Sequence, residues 1–172
     1  MKSKTMRRRG WVVGVVVVLV SAWSAQSVAS PALRRHLTSR YNLLVHDQFD
    51  LAFCFPDSWY RFPVSAKPQA IRQDDVAEAM QIIDDSMSHY PPKVVSDNLE
   101  AIYLFGRMVF YRDKEFAGTY NHARAVIYLR HNPSMFSDSW TFGRRILHHE
   151  FSSILMKNHR FPRRRWKRAN RG

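Results

Sequence analysis

Residues 147–159 read Leu-His-His-Glu-Phe-Ser-Ser-Ile-Leu-Met-Lys-Asn-His. On a helix, histidines at i and i+4 share a face and can hold zinc through neutral imidazoles. A glutamate directly after the first histidine can then take a proton from the zinc-bound water, whose pKa the metal lowers. His149 and Glu150 stand in the first two of these places, ligand and general base, but Ser153 stands in the third. A neutral hydroxyl is a poor zinc ligand beside imidazole, thiolate or carboxylate. His148 lies about 100° round a helix from His149, so the two cannot easily share one metal. The plain alternative is a solvated helix face, because Arg145, His149 and Ser153 also form an i, i+4, i+8 polar stripe.

The elements that must position these residues follow from periodicity. A helix is expected to start near Ser137-Asp138-Ser139, any of which can cap it, and to run to about Lys157. Its apolar face is Leu147, Phe151, Ile154 and Leu155, and Gly143 inside it permits close packing. A second helix is expected over 74–90, where Val76, Met80, Ile83, Met87 and Tyr90 make one apolar stripe and Pro91-Pro92 ends it. Tyr41–Val45, Leu51–Phe55, Ala101–Tyr111 and Ala125–Leu129 are the strand candidates, the last two adjacent in one sheet. Asp113-Lys114 and Gly118 supply turns between them, three prolines break up 56–70, and 31–40 reads as a loose lead-in. His122 and His131 flank the last strand pair. The expected class is α+β, a small mixed sheet packed on two main helices.

The string His148-His149-Glu150-Phe151-Ser152 resembles the His-His-Glu-Phe-Ser-His helix of exported zinc-binding metallopeptidases of bacteria, within the zincin superfamily. The resemblance extends over residues 74–159, and its specific motif is this one short string. Ala125–Leu129 precedes the helix, as does the edge strand along which zincins lay their substrate. The resemblance implies a zincin-like fold, zinc as cofactor, a peptide or protein substrate, His149 as ligand and Glu150 as general base. It also makes His159 a candidate ligand, since it lies ten positions after His149, the spacing of the third histidine in the longer zincin motif. That motif turns the chain at a glycine where this one has Met156, although Asn158 could turn it instead. Only 13 residues follow His159, so the expected domain is either minimal or shortened.

Charge separates the chain into three parts. There are 27 basic and 14 acidic residues. Five of the basic ones lie in residues 1–29 and seven in 160–172, with no acid in either, which leaves 30–159 near balance at +1. The basicity therefore belongs to a leader and a tail, which argues against a folded nucleic-acid surface. Lys2 to Arg9, the apolar run Trp11–Trp23 and Ser27-Val28-Ala29 have the three-part layout of a secretory signal cleaved after Ala29, with a retained membrane anchor as the alternative. The expected destination is periplasmic or secreted. The domain is expected over 30–159, and the tail, with Trp166 among its cations, is an expected contact to an anionic envelope surface. With Cys54 as the single cysteine, no internal disulfide is possible and the core must hold the fold.

Overall fold

The computed structural model describes residues 31–133 and 138–159. The leader, the tail and the segment where the last helix was expected to begin (134–137) lie outside the described residues. The fold is α+β. A six-stranded mixed sheet is built from β1 (Leu44–His46), β2 (Lys67–Ala70), β3 (Ala101–Phe110), β4 (Lys114–Glu115), β5 (Gly118–Asn121) and β6 (Val126–Arg130). The helices are α1 (residues 31–41), α2 (Asp57–Tyr60), α3 (Val76–Ser88), α4 (Pro92–Asn98) and α5 (Ser139–Asn158).

β3 is the axis of the sheet. Its first half pairs in parallel with β1 on one side and β6 on the other. Its second half pairs antiparallel with β2 and β4 on those same two sides. β5 closes the β6 side as an antiparallel edge strand. The ladder with β2 skips Gly106: Gln69 faces Arg107 while Ala70 faces Phe105. An extra residue in a strand reverses which face the later side chains take. Ala101 and Phe105 before it, and Met108 and Phe110 after it, accordingly join one core beside Phe55, Val126 and Tyr128. Ile102 and Leu104 point the other way, into a core formed with α1, α3, α4 and α5.

α3 has the expected stripe: Val76, Met80, Ile83 and Met87 are buried and Tyr90 half-buried. α5 presents Leu147, Phe151 and Ile154 to the same core. Each fully buried aliphatic or aromatic side chain contributes about 1.5–3 kcal/mol. Asp138 caps α5, its carboxylate accepting from the Thr141 N–H at 2.9 Å. Two side-chain contacts fasten α5 to α3, Ser139 Oγ donating to Glu78 at 2.7 Å and Arg144 Nε lying 2.9 Å from Asp85, and just past the end of α3 Tyr90 OH lies 2.9 Å from His148 Nδ1.

Several expectations fail, each for a physical reason. Residues 31–41 are helix, because Leu37 and Tyr41 find an apolar sheet face to cover. Leu51–Phe55 is a succession of turns whose Cys54 and Phe55 fill the second core. The proline-rich 56–70 stretch still contributes α2 and β2. Pro91-Pro92 ends α3 but also starts α4, since proline is well tolerated in a first helical turn. β6 is an interior strand, buried throughout, and the edge strand is β5, which begins at the expected turn residue Gly118.

A β-carbon at Gly106 would stand 2.6 Å from the carbonyl oxygen of Ala70, so backbone would have to move. Gly106→Ala is therefore expected to destabilise the fold by about 1–3 kcal/mol, read as a lower urea midpoint.

Candidate functional site

α5 presents three faces. Leu147, Phe151 and Ile154 point into the core, with Gly143 lying against Ile82 of α3. Phe142, Arg145, Ile146, His148, His149 and Ser152 line an open groove of about 630 Å³. Glu150 falls between these two faces, and it turns toward the edge strand. A β-carbon at Gly118 would lie 3.3 Å from Glu150 Cγ and would also strike Ile146, so only glycine lets β5 approach the helix this closely.

His149 is exposed and lines the groove. Glu150 is 8% exposed. Its burial pushes the carboxyl pKa up, an effect that His149 partly opposes. Ser153, where a second ligand would stand, donates its hydroxyl to the backbone carbonyl of His149 at 2.9 Å. This is the ordinary way a mid-helix serine satisfies itself. His159 is not brought to His149. α5 continues to Asn158, which puts the two histidines about 15 Å apart along the axis. His159 and Asn158 instead both meet the side-chain oxygen of Asn98, at 3.2 and 2.9 Å, and so tie the end of α5 to the end of α4.

The other histidines have structural partners or lie elsewhere. His148 meets Tyr90 and stacks obliquely near His89, and its pKa is lowered by burial and then by the His89 and Arg144 charges. His131 is buried at the end of β6, 3.7 Å from Glu78, with burial lowering its pKa against the pull of that carboxylate. His122 is exposed on the short 3-10 turn (His122–Arg124) after β5.

Whether this set fits zinc is decided by its donors. Among the described residues, no three or more His, Cys, Asp or Glu side chains come together in a way that could hold a metal. Residues 1–30, 134–137 and 160–172 contain none of these four types. Arg145, one turn before His149, adds a positive charge to the groove. A zinc site normally takes three or four protein donors, and the groove offers two imidazoles, His149 and a His148 already engaged by Tyr90, beside a cation. The residues present do not fit a zinc centre.

What the arrangement can do is bind. Arg130 N–H donates to the Ala117 carbonyl at 2.9 Å, so 117 and 130 are a hydrogen-bonded pair of the antiparallel ladder. The alternation of such a ladder turns the N–H and C=O of Gly118 and Tyr120 away from β6, along the outer edge of β5. Ile146, which a β-carbon at Gly118 would strike, also lines the partly cationic α5 groove, so β5 and the groove adjoin at that side chain. Gly118 and Tyr120 were not legible as site residues. The available signal was a glycine opening a short Thr-Tyr stretch, and it reads equally well as a turn.

The acid shift of Glu150 has a definite sign. Its folded pKa lies above its unfolded value, so the folded state holds its proton more tightly, and stability falls as pH rises through the folded pKa. Glu150→Gln removes that loss. It is expected to raise the unfolding midpoint at pH 8 and to change little at pH 4. A midpoint lowered at pH 8 would show that ionised Glu150 has a favourable partner.

Compared with known proteins, the chain matches no protein-family model, no curated protein and no solved structure.

Proposed function

We propose that this chain is an exported, zincin-like protein that binds an extended acidic peptide segment without hydrolysing it. The segment would add alongside β5, its main chain hydrogen-bonding to the outward groups of Gly118 and Tyr120. Its acidic side chains would meet Arg145 and His149, since among the described residues no carboxylate lines the groove. The observation that carries this reading is the Ser153 hydroxyl committed to the His149 carbonyl, with His159 held at Asn98. A helix of peptidase type is thereby left with His149 as its one groove imidazole not engaged by Tyr90, beside an edge strand that has no outer partner among the described residues. The cleavable leader would bring the protein to the envelope or beyond it, and the basic tail would hold it near an anionic surface.

Hydrolysis by zinc-activated water is the second reading. It is favoured by the placing of His149 and Glu150 side by side between groove and edge strand. It would need further donors from outside this chain.

The test uses a random library of acid-rich heptapeptides added to isotope-labelled protein. The amide resonances of Gly118 and Tyr120 are expected to shift while the peptides stay intact. Tyr120→Pro removes an outward N–H without breaking the ladder to β6 and should weaken binding about tenfold or more. Unshifted amides, or cleaved peptides, would overturn the reading.

A further inference from the structure

A second surface lies beyond the end of β3, away from the groove. Two chain segments meet there. The Tyr111 N–H donates to the Val64 carbonyl at 2.5 Å, Lys67 faces Val109 across one ladder, and Lys114 faces Phe110 across the other. Residues 61–67 and 111–114 thus form one tip. Phe62 is 82% exposed there and Tyr111 49%. Arg61, Lys67, Arg112 and Lys114 are exposed with them. Asp113 is the single acid in the two stretches, and the adjoining Glu115 is already held by Arg107 and Arg130, each at 2.6 Å.

The backbone at the tip makes this exposure costly. Tyr111 and Arg112 both take left-handed conformations, with φ of 51° and 81°. Tight hairpins place Asn or Gly in such positions, because a β-carbon costs about 1–2 kcal/mol there in ordinary residues. An aromatic and an arginine are held outward at strained positions beside a phenylalanine in water.

The entry of the chain lies toward the same end of the sheet. Arg34 of α1 bonds the Val45 carbonyl and, at 2.6 Å, Asp47, so α1 runs back past β1 and its first residues lie toward the carboxyl ends of β1 and β3. In sequence, what precedes α1 is a cationic stretch followed by the apolar run Trp11–Trp23.

We propose that this tip docks on an anionic lipid surface. Phe62 and Tyr111 would enter the headgroup region, and Arg61, Lys67, Arg112 and Lys114 would face the lipid phosphates. An apolar ring and an amphipathic one flanked by cations suit that boundary, and a net positive tip complements an anionic leaflet. The contact is distinct from the groove and needs no part of the peptide-binding proposal.

Hydrogen exchange of the full chain, with and without phosphatidylglycerol vesicles, tests it residue by residue whatever else attaches. Exchange over 61–66 and 110–114 is expected to slow about tenfold on these vesicles and to change little on phosphatidylcholine vesicles. Phe62→Ser combined with Tyr111→Ser, both exposed, should abolish that slowing and leave exchange in α3 and α5 unchanged. A vesicle-bound chain whose tip exchanges as in solution would overturn the proposal and leave attachment to the leader or tail. Tip protection that grows with protein concentration in the absence of vesicles would overturn it in favour of self-association.

Discussion

The structure depends on one strand. β3 is paired on both sides along most of its length and buried on both faces except at Arg107, so two cores and four neighbouring strands take their places from it, and β5 follows from β6. Alternation lets this one strand serve both cores, and the bulge at Gly106 is what keeps its second half, Met108 and Phe110, in the aromatic one. Without that extra residue Met108 and Phe110 would point among the helices, and the aromatic cluster of Phe55, Trp59 and Tyr128 would lose its middle. The candidate site inherits its geometry from this arrangement. β6 lies beside β3, β5 beside β6, and α5 crosses back over β6 and β5 because its apolar face is needed by the helical core.

The helix that drew attention in the sequence is therefore first a structural element. Its polar residues are shared out among competing tasks. Arg144 and Ser139 fasten it to α3, His148 to Tyr90 just beyond α3, and Asn158 and His159 to α4. Ser153 serves the helix's own backbone. His149, Arg145 and Ser152 remain for the groove, with Glu150 half-way between groove and core. A zinc site needs several donors to converge on one point, and these tasks pull them toward three different neighbours. A peptide edge needs far less: two outward main-chain units on β5 and a complementary charge nearby.

Where a segment's hydrophobic period settled its structure, that structure was legible. The α3 stripe and the apolar face of α5 gave the helices nearly to the residue, and 101–111 and 125–129 gave the two central strands as neighbours. Where tertiary context decided, the sequence misled. Leu51–Phe55 is rich in strand formers, yet Phe55 is held in the aromatic core by turns, because its ring packs against Phe105, Phe110 and Tyr128 there. The polar surface of 31–41 hid a helix whose burial rests mainly on Leu37 and Tyr41. The candidate site was half legible. His149, Glu150 and Ser153 could be placed on one helix by counting. The commitment of His159 to Asn98 and the edge position of β5 depend on how distant segments pack, and no local period encodes that.

The central claim is that this helix has the shape of a metal site without its donors. Zinc content after equilibrium dialysis, for the purified chain and for Ser153→His, tests it most directly. The account predicts no stoichiometric zinc on either, because Ser153→His raises the imidazoles on the His149 face only to two and still leaves the site short of a third donor. One zinc per chain in the unaltered protein, lost on His149→Ala, would contradict it and would make His149 a working ligand with partners that the fold described here does not supply.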